Sequence, residues 1–483
     1  MFFSRVFIFV PGIFFLTSIS ALPASAHAFG TRYDLPLPLE MYLIGAGAAV
    51  ALSFVIMAMF FRERGDAEVA WAVDLSGLPA LGWIGHPVWL LLLKLVSVAA
   101  FALLLAAGFF GSESALNNIA PVFVWVIWWV GMAFVSALFG NVWSLVNPWK
   151  IVFDWSGKLL PLTRTNAEYP ARWGYAPALI LFLIFAWLEL ISEQGENPRN
   201  LAWLIAIYSV ISWAGMARYG RDNWLQYGEA FSIVFGLFAR FAPMNGRNGG
   251  WHLRLPSVGL LSHQALPMSG VVFVLLLLAT VTFDGILETP LWANILDGIA
   301  TSKFLRPMLL ALQESGVDLL ILIKSLTLVL LPALFVGVYM LVCKAIGRAG
   351  GGGLHTTEVA GYFVLSLVPI AIAYHLSHYL SYLMIAGQNI IPLVSDPLGS
   401  GWDLFGTKNY RVDIGIVSAK VVWDVAVNAI VLGHVMAVYV AHVMAMRVYS
   451  DRAAALRSQI PMLVLMVAYT MLSLWILSQP IVA

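Results

Sequence analysis

VAGYFVLSLVPIAIAYHLSHYLSYLMIAG, residues 359–387, carries no Asp, Glu, Lys or Arg. It exceeds the ~20 apolar residues that an α-helix needs to cross a bilayer. Its only imidazoles, His375 and His378, sit near its middle. A soluble core helix rarely runs apolar for this long, so the stretch reads as a membrane-crossing helix with two polar groups inside. Such groups are costly in hydrocarbon and usually mark function or a structural pair.

Nine further apolar stretches surround it, near 41–61, 88–107, 121–139, 176–191, 201–217, 268–288, 318–343, 414–446 and 461–478. The 483 residues are 61% hydrophobic and 11% charged, against about 45–50% and ~25% in soluble domains. The predicted fold is therefore an all-α polytopic bundle of about ten spanning helices. A soluble enzyme and a disordered chain are excluded. A net charge of +1 suggests no nucleic-acid partner, only membrane lipid and a small-molecule ligand. Cys343 is the single cysteine, so neither an internal disulfide nor a cysteine-based metal cluster can form.

Residues 1–26 read as a cleavable signal peptide: Arg5 flanks a short apolar run, and Ala24-Ser25-Ala26 fits the small-x-small cleavage rule. His27 would then begin the mature chain, where amine and imidazole together can chelate copper; the plainer reading is that it merely follows the cleavage site. Basic residues predict the orientation. With the mature N-terminus outside, 16 of the 26 Lys and Arg fall in cytoplasmic segments. Only Arg32, Arg199, Lys303, Arg306, Lys408 and Arg411 fall outside. The expected location is a bacterial inner membrane, with both mature termini periplasmic. Two halves, 27–262 and 263–483, hold about five helices each. On the cytoplasmic side, Trp224, Tyr227, Phe231, Phe235 and Phe238 repeat at helical spacing, which predicts an amphipathic helix lying in the interface. Residues 350–353, all Gly, read as a flexible link.

Centring each span on the midplane and using ~1.5 Å per residue gives a depth for every ionisable group. His375 and His378 fall ~3 and ~8 Å to the periplasmic side, Asp424 ~9 Å, Asp284 and Lys324 ~9–10 Å, and Lys420 and Glu288 ~15 Å. Separate helices thus place carboxylates, imidazoles and lysine in one outer layer. His375-x-x-His378 puts both rings on one helix face. Two imidazoles and a carboxylate, from Asp424 or Asp284, suit zinc or another divalent ion with an open position for water. Hydrogen bonding to neighbouring helices, or a proton relay, would explain the pair equally well. Asp284 and Asp424 have alternative partners in Lys324 and Lys420. Gly285 and Pro290 predict that the sixth helix ends or breaks beside Asp284. His434 lies ~6 Å to the cytoplasmic side, where it can extend a relay, and His442 reads as interfacial.

Several stretches resemble the polytopic bacterial membrane proteins known as fenitrothion hydrolase-like: Ala26-His27-Ala28-Phe29-Gly30 with Arg32-Tyr33-Asp34-Leu35-Pro36, Phe283-Asp284-Gly285 with Thr289-Pro290, Ala373-Tyr374-His375-Leu376-Ser377-His378-Tyr379, and Gly387-Gln388. The resemblance implies a membrane-bound hydrolase of organophosphorus esters and supplies no site residues. Joined to the residue reading, it gives the expectation of a metal-dependent hydrolase with a periplasm-facing site. His375, His378, Asp424 and Asp284 would hold the ion, zinc or copper. Glu288 would take a proton from water, and Lys324 or Lys420 would stabilise the phosphoryl oxygen. The rival expectation is a transporter of a metal ion or proton-coupled solute using the same residues. A structural subunit of a larger membrane complex is a third.

Overall fold

The computed structural model describes residues 35–60, 73–75, 86–159, 167–247, 250–262 and 264–482. The signal peptide and His27 lie outside the described residues. Ten described helices are long and apolar enough to cross a membrane. They are α1 (Leu39–Phe60), α2 (Pro87–Phe110), α3 (Ile119–Phe139), α4 (Ala171–Leu190), α5 (Pro198–Tyr219), α6 (Met268–Leu287), α7 (Leu319–Ala349), α8 (Thr356–Ser395), α9 (Ala419–Val448) and α10 (Arg452–Gln479). The chain is an all-α, multi-pass membrane protein. Successive spans reverse direction, so α1, α3, α5, α7 and α9 start on one face, called the leading face below, and the even-numbered spans end there.

Helix ends leave backbone N–H groups without partners, and side chains meet them here. Asn197 accepts from the N–H groups of Arg199 and Asn200 at the start of α5. Asp318 accepts from Leu320 and Ile321 at the start of α7. His86, on which the sequence is silent, caps α2 through its Nδ1. His355 and Glu358 build a reciprocal cap for α8. The glycines at 350–353 form an ordered C-terminal cap on α7 instead of a loose link. Gly351 and Gly352 take φ of 100° and 81°, where only glycine is unstrained, and Gly352 donates to Gly347 O.

Burial sorts the spans. The apolar windows of α8, α6 and α9 are 89%, 78% and 67% buried, those of α7, α2 and α4 only 11–17%. The first three are therefore the central helices, and the windows of the other spans are 44% buried or less. Small residues let the central helices approach closely. A methyl group on Gly433 of α9 would lie 2.4 Å from Ala373 Cβ of α8. One on Gly285 of α6 would lie 2.6 Å from Ile476 of α10 and 2.9 Å from the Tyr374 hydroxyl. The main core cluster draws on both halves of the chain, from Trp129 and Phe182 to Tyr374 and Ile430.

Two spans are irregular. Residues Val122–Val130 of α3 form a π-helix, a winding that is rare and frequent at functional sites. In α8 a 3-10 turn, Val364–Leu367, precedes the helix Val368–Ala386. Pro369 there has no N–H to give to the previous turn.

The aromatic segment departs from its expected place in the interface. It forms two helices, Arg221–Tyr227 and Ala230–Phe241, broken at Gly228-Glu229. Phe231 and Phe235 are buried, 3% and 0% exposed, against Trp128 and Trp129. The helical aromatic period is real, but the apolar face meets protein and not lipid. The residue at the break explains why. Glu229, fully buried, accepts from the N–H groups of Phe231 and Ser232 and from the Tyr208 hydroxyl. A small antiparallel sheet was also not foreseen: Gly250–Leu253 pairs with Val73–Asp74 and with Met244–Arg247.

Candidate functional site

Asp284 occupies the last turn of α6, which ends at Leu287 as Gly285 and Pro290 predict. Gly285 brings this turn against α8. There His378 Nε2 donates to Asp284 Oδ2 at 2.9 Å, and the Tyr379 hydroxyl donates to the same oxygen at 2.7 Å. Two consecutive residues of α8 thus hold one carboxylate of α6. The side chains of His378 and Asp284 remain 11% and 23% exposed, so the pair is enclosed but reachable. With Nε2 donating, the lone pair of His378 lies on Nδ1, which makes no hydrogen bond among the described residues. A carboxylate-held imidazole with one free nitrogen can take up and release a proton.

Glu288 lies one residue beyond the span and is partly exposed. Burial pushes its carboxyl above the ordinary value; His378 opposes this and Asp284 adds to it. Glu288 therefore shares the electrostatic field of the pair.

His375 faces elsewhere. It is 2% exposed, with ring centroids of Trp129, Phe238 and Phe134 at 5.6, 6.0 and 6.3 Å and of Tyr379 at 4.7 Å. Its Nε2 is buried without a hydrogen-bond partner. The three-residue spacing put both imidazoles on one side of α8, but the rings diverge around Tyr379: His378 toward α6, His375 into an aromatic cage.

Asp424 stays with Lys420 at 4.0 Å, and both side chains are about half exposed or more. Asp284 has His378 for a partner, not Lys324, which makes no ion pair among the described residues. The structure thus joins Asp284 with His378 and keeps Glu288 close. Among the described residues no three of His, Cys, Asp and Glu gather where they could hold a metal ion. The expected shell of His375, His378 and a carboxylate is not assembled among the described residues.

Sequence reasoning passed over several groups that the structure places nearby. Glu189, two residues from the end of the predicted fourth span, interacts electrostatically with Asp284, Tyr379 and Tyr382. An isolated carboxylate within an apolar stretch is a readable signal, and it went unused. Tyr374 is fully buried and its hydroxyl has no partner. Thr282 gives its hydroxyl proton to Leu278 O at 2.8 Å, so Tyr469 is the donor in the 2.6 Å contact between the two. A single tyrosine or threonine in a span carries no comparable signal. His434 is fully buried, its Nδ1 donating to Ile430 O at 2.8 Å and its Nε2 without a partner. His442 is buried within the protein, its Nδ1 donating to Gln459 at 2.9 Å.

Comparison of the chain with family models, with curated proteins and with solved structures finds no match.

Proposed function

We propose that the protein is a hydrolase of organophosphorus esters in a bacterial inner membrane, with both mature termini in the periplasm. The bias of basic residues supports the orientation and puts the leading face outside. The observation that carries the activity is the Asp284–His378 pair, held between two central helices and still 23% and 11% exposed. The substrate class rests on the resemblance of residues 283–285 and 373–379. In this reading Asp284 fixes the ring and Nε2 proton of His378, and Tyr379 fixes Asp284. Nδ1 takes a proton from water as the water oxygen bonds to phosphorus. The bond from phosphorus to the aryl oxygen breaks, and the imidazolium returns the proton to the departing aryl oxide. Lys324 and Lys420 have no part in these steps.

The test is release of the phenol from an aryl phosphotriester by the purified protein. Asp284→Asn and His378→Gln should each lower turnover by about 100-fold or more, with the proteins still inserted in the membrane. Absence of cleavage by the unaltered protein would end the reading. Cleavage abolished by a chelator would restore a metal, with Asp284 and His378 among its ligands.

A second reading, transport of a proton-coupled solute or a metal ion, is favoured by the buried polar groups that continue inward from the same pair.

A further inference from the structure

Four side chains from three helices follow one another inward from Asp284 of α6. The His378 ring lies 6.4 Å from that of Tyr374. Tyr374 lies 6.5 Å from Tyr469 of α10, and Tyr469 lies 6.0 Å from His434 of α9. Each group can both accept and release a proton, and successive ring centroids lie 6.0–6.5 Å apart. Two polar atoms along this series have no hydrogen-bond partner. The Tyr374 hydroxyl and His434 Nε2 are buried without partners, although leaving a buried polar group unsatisfied is unfavourable. Tyr469 donates to Thr282, which leaves its oxygen able to accept. Eight residues beyond His434 on α9, ~12 Å along the helix, His442 and Gln459 form the next buried polar pair.

We propose that Tyr374, Tyr469 and His434 form a proton path from the Asp284–His378 pair into the middle of the membrane, continued by His442 toward the opposite face. This names the ion and the route for the transport reading and rests on it; it does not depend on ester cleavage.

The experiment uses the full chain in proteoliposomes that hold a pH-sensitive dye, with an inward proton drive set by a potassium gradient and valinomycin. The unaltered protein should acidify the interior faster than protein-free vesicles. Tyr374→Phe and His434→Gln should each slow acidification about tenfold or more. Tyr374→Phe keeps the ring and removes a hydroxyl with no hydrogen bond, so its melting temperature should not fall, and a slower flux cannot then be assigned to unfolding. Acidification no faster than in protein-free vesicles, or wild-type rates in both variants, would overturn the proposal. Ester cleavage is measured on the same preparations. Proton movement without cleavage keeps this inference and ends the hydrolase reading; cleavage without proton movement does the reverse.

Discussion

One turn of α8 separates two regions of opposite character. On the His375 side, α3, α4 and the helix Ala230–Phe241 enclose a core of Trp128, Trp129, Phe182, Phe185 and Phe235, in which most ring pairs meet edge to face or tilted. On the His378 side, α6, α9 and α10 present Asp284, Thr282, His434 and Tyr469. The first region gains stability from large apolar surfaces and ring geometry. The second holds an ionisable pair and buried hydroxyls and imidazoles from several helices; unpaired buried polar atoms occur on both sides, among them Trp129 Nε1 and His375 Nε2 on the first. The contrast teaches that residue type and spacing do not assign a role to a membrane histidine; the neighbouring helix does.

The largest effect that tests this contrast should fall on the aromatic side. Glu229 is its one fully buried carboxylate among the described residues, and it holds the start of Ala230–Phe241. Glu229→Ala removes that cap and strands the Tyr208 hydroxyl. A lost cap costs about 1 kcal/mol, and hydrogen bonds to a charged group about 1.5–3 kcal/mol each. A loss of about 3 kcal/mol in thermal unfolding in detergent is expected. Proton movement and cleavage by the protein that remains folded should change little. A collapse of activity at unchanged stability would mean that the aromatic region takes part in the chemistry.

His375→Phe comes next and separates the two imidazoles directly. A phenyl ring fits the cage of Trp129, Phe134, Phe238 and Tyr379, and the substitution removes an unpartnered nitrogen. Stability should rise by about 1 kcal/mol, with cleavage largely kept, whereas His378→Gln should lose it. If both substitutions abolish cleavage equally, the two rings act together and the metal expectation returns.

How much of this was legible in the sequence follows from the same contrast. Ten spans and their approximate ends could be read because hydrocarbon demands long uncharged stretches, and the break after Asp284 because Gly and Pro mark it. Asp284 and His378 were found because ionisable groups inside spans stand out. Their pairing was not: depth offers Asp284 to Lys324 as readily as to His378, and only the contact of α6 with α8 at Gly285 decides between them. The amphipathic period of residues 224–238 was seen correctly, but period cannot say whether lipid or protein meets the apolar face. Tyr374 and Tyr469 escaped notice because a tyrosine in a span looks like any other packing residue until its neighbours are known.

The smallest effect is expected at Asp424, and its smallness is what matters. Depth put Asp424 in the same layer as Asp284, and a carboxylate ligand was expected from one or the other. In the structure it meets Lys420 at 4.0 Å, with side-chain exposures of 48% and 65%. An exposed pair of this kind contributes about 0–1 kcal/mol. Asp424→Asn should therefore leave cleavage, proton movement and melting temperature close to wild type, while Asp284→Asn removes the first two. The two aspartates share a depth and differ in their partner: one faces a lysine at the surface, the other an imidazole between central helices. A strong loss of activity in Asp424→Asn would place α9 in the reacting layer and require α8 and α9 to rearrange so that Asp424 could reach His378.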